Sequence, residues 1–272
     1  MSGRRIGVAL VVVGAAALAW WSWPTRRALE GGVARPILER PDAEAWDVDL
    51  VRGGVRVGRM VSVHVDPVRA RPRLVLNGAR RPLRALAPEA DLVANAGFFT
   101  PEFRPTGLLV SEGEVLHPFV DHGGAAGTGV LVWRDDGTIR LHARSSFSLE
   151  DPDAIRVALQ AGPRLIEPGG EPGIRADDHI SANRTVVGRD RAGRFVIVVA
   201  HGAGASRSGP SLWEMMRLVG AEGLGRVRDD LALEIALNLD GGPSTGLHLR
   251  PAELALPASE VVPSALVVEL GP

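Results

Sequence analysis

Short apolar runs, each cut off by glycine, proline or an acidic turn, most limit what this 272-residue chain can fold into. Val61, Val63 and Val65 alternate with Ser62, His64 and Asp66. That period of two predicts a half-buried strand, which Asp66-Pro67 ends. Two apolar runs flank Glu112-Gly113 and two more flank Asp136-Gly137, which is the spelling of β-hairpins. Residues 155–159, 184–187 and 195–200 read as further strands, with Arg191-Ala192-Gly193 turning between the last two. Only one segment has clear helical spacing. Ser211-Leu-Trp-Glu214 is a capping box, in which the serine caps the helix and the glutamate reaches back to the cap N–H. Parallel crossovers need a helix each, and the chain lacks enough of them. The expected fold is therefore α+β: a single domain over residues 46–272 with a twisted, largely antiparallel or mixed sheet and few helices.

Ahead of that domain, Arg4 and Arg5 precede an uncharged run from Ile6 to Trp23. As a helix it would span roughly 27 Å, enough for a bilayer core. Trp20, Trp21 and Trp23 look like an interfacial belt and favour an uncleaved membrane anchor; Ala17-Leu18-Ala19 also fits a signal-peptide cleavage site. Either outcome, with the N-terminus inside, predicts a domain outside the cytoplasm, membrane-anchored or secreted. Residues 24–45, rich in proline, glycine and charge, read as a linker.

Composition excludes several chemistries. All 31 basic residues are arginine, and there is no cysteine. Schiff-base lysines, thiol nucleophiles and thiolate metal sites are absent from the covalent structure. The net charge of -1 gives no electrostatic footprint for nucleic acid. The seven histidines show no metal-ligand spacing on a helix; His117 and His122, in one loop, are the nearest approach to one. No metal and no cofactor are expected.

The most informative stretch is Ala236-Leu-Asn238-Leu-Asp240-Gly241-Gly242-Pro-Ser244-Thr245-Gly246. A buried strand ends in a carboxylate, and two glycines allow close backbone approach to a ligand. Gly242-Pro-Ser244-Thr-Gly246 also spells a nucleophile elbow. That motif needs a helix after the serine and a later acid and histidine in chain order, whereas residues 246–251 alternate like a strand. Three other strand ends have the same character: Asn95-Ala-Gly97, Gln160-Ala-Gly162-Pro and Asn183-Arg184-Thr185. Together they supply amides for sugar hydroxyls, a guanidinium for phosphate and a carboxylate for catalysis.

Asn95-Ala-Gly-Phe-Phe, Pro105-Thr-Gly-Leu, Gln160-Ala-Gly-Pro, Arg184-Thr-Val-Val-Gly188 and Asn238-Leu-Asp-Gly-Gly-Pro-Ser-Thr245 occur in that order. In this the chain resembles the phosphodiester glycosidase domain family over about residues 61–270. Ala96 stands where that family usually has a second glycine, and Ala161 where serine is common; Ala96 would be awkward if its φ were positive. The resemblance implies cleavage of a sugar 1-phosphodiester at the anomeric C–O bond through an oxocarbenium-like transition state. It implies a phosphate-linked glycan as substrate, with Arg184 clamping phosphate and Asp240 as nucleophile or general base. Asn95, Gln160 and Asn238 would orient hydroxyls or phosphate oxygens, and Gly97, Gly162, Thr185, Gly241 and Gly242 would line the site. Ser244 and Thr245 would bind phosphate or hold the loop. A second carboxylate is left open among Asp66, Glu102 and Asp121. The competing reading is a catalytically silent glycan-binding or exopolysaccharide-assembly module on the same scaffold.

Overall fold

The computed structural model describes residues 28–204 and 206–271. The expected membrane helix at residues 1–23 lies outside them. Among the described residues no helix is long and apolar enough to cross a membrane.

The strands run β1 (Leu29–Arg40), β2 (Ala43–Arg52), β3 (Val55–Val65), β4 (Arg71–Leu76), β5 (Leu92–Asn95), β6 (Leu109–Ser111), β7 (Glu114–His117), β8 (Gly129–Arg134) and β9 (Ile139–Ala143). They continue as β10 (Ile155–Ala161), β11 (Arg164–Glu167), β12 (Glu171–Pro172), β13 (Arg184–Asp190) and β14 (Phe195–Gly202). Helices α1 (Leu212–Val219) and α2 (Leu224–Val227) follow, then β15 (Leu233–Asn238), β16 (Leu247–Leu249), β17 (Leu254–Leu256) and β18 (Ser264–Glu269). One sheet of eight strands has the order β1-β2-β3-β14-β13-β15-β11-β12. Two sheets of five have the orders β7-β6-β10-β8-β9 and β17-β16-β5-β18-β4. Every registered pairing is antiparallel, so the sheet is antiparallel rather than mixed. The hairpins at Glu112-Gly113 and Asp136-Gly137 form where the turn residues place them, joining β6 to β7 and β8 to β9.

Two sequence expectations are corrected here. Residues 29–40 are not linker but β1, an edge strand paired with β2. Pro36 and the bulges around it suit an edge, where one side of the backbone needs no ladder partner. Most of β1 faces solvent, which hid its period. Second, β3 is buried on both faces rather than one. Val61, Val63 and Val65 enter the main core with Phe195, Trp133 and Leu237. Met60 turns the other way, under α1, among Val196, Val198, Met215 and Val219. The capping box that starts α1 forms in both directions: Ser211 accepts from the Glu214 N–H, and Glu214 accepts from the Ser211 N–H.

The second face of β3 therefore buries Ser62 and His64 as well, and both have zero exposure. Burial of polar groups demands partners. His64 finds Asp190 at 2.8 Å through Nδ1 and Ser62 Oγ at 3.2 Å through Nε2. Arg194 reaches the same Asp190 carboxylate at 2.7 Å and also pairs with Glu44. The Ser62–His64–Asp190 chain has the connectivity of a hydrolytic triad, but all three groups are sealed from solvent. It is a satisfied core network.

Candidate active site at the Asp240 turn

Register brings three strand ends together at one end of the large sheet. Val186 pairs with Asn238 and Arg184 with Ala200, so the start of β13 and the ends of β14 and β15 lie together. β5 joins them from another sheet: the Asp240 N–H bonds to Ala96 O at 3.3 Å. Beyond β15 the chain makes a short turn, residues 242–244, and enters β16. Gly242 sits at φ +60°, where only glycine is unstrained, and a Cβ on Gly241 would lie 2.7 Å from Asn183 O. Strand, turn and strand replace the strand, turn and helix of a nucleophile elbow. Ser244 is buried and donates to Glu260 Oε1 at 2.7 Å, so the serine-nucleophile spelling has no matching geometry.

Asn95 is wholly buried. Its Nδ2 donates to the Asp240 carbonyl at 2.7 Å; its Oδ1 accepts from Thr185 Oγ1 at 2.7 Å and from Gly246 N–H at 3.1 Å. Asn95 and Thr185 are thus a clip between two sheets, not groups presented to a ligand. Gln160 is spent in the same way. Its Oε1 accepts from the Leu108 and Val120 N–H groups, and its Nε2 donates to Val120 O and Gly127 O. Gly97 packs with its Cα side against Gln160 O, and Gly162 approaches Ala125 O so closely that a Cβ would sit 2.3 Å from it. These residues tie neighbouring segments together inside the fold. Ala96 takes no positive φ, so the missing glycine costs nothing there.

What faces outward is narrower. Asp240 is half-buried, and its Oδ1 accepts from the Gly241 N–H at 2.9 Å. Burial lifts its carboxyl pKa to about 6; hydrogen bonds from Ser244 and Gly241 pull it down, and the Glu260 charge adds to the lift. Arg184 donates from Nε to Pro210 O at 3.0 Å and from Nη2 to Ile180 O at 2.6 Å, while its stem lies against Gly241. Burial lowers its pKa, partly offset by the Asp178 charge. Among the described residues two of its five N–H donors are used, which leaves others to meet an anion. Asn238 donates to Gly162 O at 2.9 Å and Leu239 O at 2.8 Å, yet among the described residues its Oδ1 has no partner; neither has Thr245 Oγ1. These two buried polar atoms, one at the end of β15 and one just past the turn, mark polar demand that the described residues do not meet.

Among the described residues no hydrogen bond or charge interaction links Asp240 to any of the three open carboxylates. Asp66 lies past β3 at the opposite end of the large sheet, capping the Val68 and Arg69 N–H groups. Glu102 and Asp121 are exposed, and their low pKa values come first from Thr100 and His122 beside them. Sequence reasoning missed two groups. His201, at the end of β14, faces the Thr245 backbone; burial first, then the Arg59 charge, lowers its pKa. Glu260 reaches the turn from a loop and also lines a cavity of about 390 Å³ with Leu83, Arg84, His248, Leu256 and Val261. Among the described residues no group of three His, Asp or Glu side chains is placed to hold a metal ion.

Antiparallel sheets, with a half-buried carboxylate and a pinned guanidinium at one end of the large sheet, define an α+β domain with a single candidate acid–base site. The phosphodiester glycosidase family model matches residues 88–269, and the chain belongs to that family. Several solved structures share the fold. A hypothetical protein from Synechocystis superposes with TM-score 0.63 at 16% identity, covering 89% of this chain. This chain spans 64% of that protein's length. The catalytic domain of zebrafish N-acetylglucosamine-1-phosphodiester alpha-N-acetylglucosaminidase, auto-inhibited by its pro-peptide, superposes with TM-score 0.60 at 17% identity. Coverage there is 90% of this chain and 85% of the zebrafish one. At these identities the likeness is one of fold. No curated protein matches the chain.

Proposed function

We propose that this protein hydrolyses a sugar 1-phosphodiester at the glycosidic C–O bond, releasing the sugar from a phosphomonoester. The observation that carries the reading is the half-buried Asp240 carboxylate, with a pKa of about 6, on a glycine turn beside Arg184. A carboxylate of that basicity is poised for proton exchange near neutral pH. In the proposed step Asp240 takes a proton from water, the water oxygen bonds to C1, and the C1–O bond breaks. Its electron pair stays on the phosphate oxygen. Arg184 would stabilise the charge gathering there, its unused N–H donors matching phosphate oxygens. Asn238 Oδ1 and the Thr245 hydroxyl, which lack partners among the described residues, are the remaining polar groups of this proposal.

The substrate we favour is a phosphate-linked glycan of the cell envelope, met outside the cytoplasm by a domain tethered through residues 6–23. The N-terminal sequence supports a placement outside the cytoplasm, membrane-anchored or, if the segment is cleaved, secreted. Incubation with an N-acetylglucosamine 1-phosphodiester in ¹⁸O-labelled water tests the reaction. Label in the released sugar supports C–O cleavage. Label in the phosphate, or no release at all, contradicts it.

A further inference from the structure

The small sheet that contains β8 and β9 carries a cavity of about 240 Å³ on the face turned away from the main core. Leu131 and Trp133 of β8 and Ile139 and Leu141 of β9 point into that core. Alternation turns Val132 and Arg134, and Arg140 and His142, the other way. Register sets Arg140 opposite Val132 and His142 opposite Val130. Arg140 is therefore the diagonal neighbour of Arg134 and stands two residues from His142 on its own strand. These three side chains and Phe147 line the cavity with buried Val132 and Ile155.

Like charges this close across a strand pair repel. Among the described residues neither Arg134 nor Arg140 has an ion-pair partner. Asp136, in the turn between the strands, feels the Arg134 charge without pairing with it and accepts from the Thr138 N–H at 2.8 Å. Elsewhere the chain answers clustered arginines with acids: Arg194 and Arg228 share Glu44 and Asp230. His142 is half-buried, its ring edge-on to Phe147 at 5.7 Å. Burial first, then the Arg140 and Arg134 charges, hold its pKa below the ordinary 6.5. Glu150 is the one acid on the cavity wall.

We propose that this cavity binds a sugar phosphate, with its phosphate on Arg134 and Arg140 and its ring against Phe147. A guanidinium matches phosphate oxygens with paired N–H donors, and the neutral His142 ring adds one more. The aromatic ring covers the apolar side of a sugar, while Glu150 accepts from sugar hydroxyls. The volume suits one monosaccharide phosphate. The site goes beyond the Asp240 reading and is separate from it. Asp240 follows β15 of the large sheet, whereas these groups come from β8, β9 and the segment after β9.

The test follows the His142 Cε1–H signal by NMR at fixed pH while N-acetylglucosamine 6-phosphate is added, with His142→Gln to assign the signal. It should move saturably. Arg134→Gln combined with Arg140→Gln should weaken binding at least about 10-fold, through lost charge-assisted hydrogen bonds. The parent should prefer the sugar phosphate to inorganic phosphate several-fold. Phe147→Leu, which keeps apolar packing but removes the aromatic ring, should erase that preference. Thermal melts check the fold of each variant. Asp240→Asn should leave the titration unchanged, so this site and the proposed reaction are read separately. No saturable movement, equal affinity in the double arginine variant, or inorganic phosphate bound as tightly as the sugar phosphate overturns the proposal.

Discussion

The side-chain amide of Asn95 donates to the main-chain carbonyl of Asp240 at 2.7 Å, across the boundary between two sheets. One buried asparagine thereby fixes where the catalytic candidate leaves its strand. Its oxygen is also taken, by Thr185 and by the Gly246 N–H. Asn95→Ala strands all three partners in a dry interior and should cost about 2–4 kcal/mol of unfolding free energy. Urea denaturation measures it. A loss below 0.5 kcal/mol, on the scale of ordinary surface changes, would show that Asn95 is not the clip.

Gln160 makes a local prediction. Three of its four hydrogen bonds pin the segment from Val120 to Gly127 to β10. Gln160→Ala should loosen that loop ahead of the fold as a whole, since loops open with the lowest free energies. Limited proteolysis should cut between residues 118 and 128 several-fold faster than in the parent, with the same final fragments.

Asp240 should oppose stability where it serves activity. Its pKa rises from 3.8 to about 6 on folding, chiefly by burial. The folded state resists the charged form, so the penalty is complete above pH 6, shrinks as pH falls, and vanishes below about 3.8. Asp240→Asn keeps an acceptor for the Gly241 N–H and removes the charge. It should stabilise the protein by about 1–2 kcal/mol at pH 7.5 and by nothing at pH 3.5. Thermal melts across that range read the crossover.

His64 has the opposite sign. Burial holds its pKa below the ordinary 6.5, against the pull of Asp190. Below 6.5 the unfolded chain binds a proton that the folded chain resists, so stability falls as pH falls. His64→Gln should flatten the decline in melting temperature between pH 6.5 and 5 while lowering stability at pH 7.5. An unchanged slope would mean that His64 does not titrate on unfolding.

Much of the fold is legible because turns are spelled locally. Glu112-Gly113, Asp136-Gly137 and the Ser211–Glu214 box form where their residues put them. β1 was not legible: its face is mostly solvent, and Pro36 and two glycines read as linker until β2 pairs with it. The second buried face of β3 was hidden too, because Ser62 and His64 look like a solvent face unless Asp190 is known to meet them. In the candidate site, residue type picked out strand ends that the fold brings near one another, but not the direction in which their side chains point. An amide that serves a sugar and an amide that serves a carbonyl are the same letters, and Asn95, Gln160 and Thr185 face inward. Glu260 escaped notice because it is 16 residues from Ser244, in a proline-bearing loop with no period.

Turnover of Asp240→Asn tests the account most directly. The substitution removes the base but keeps the shape of the turn, so sugar release from an N-acetylglucosamine 1-phosphodiester at pH 7 should drop at least about 10²-fold. Circular dichroism should show the fold intact. Near-parental release from a folded Asp240→Asn protein would contradict the assignment of Asp240 as the proton-exchanging group.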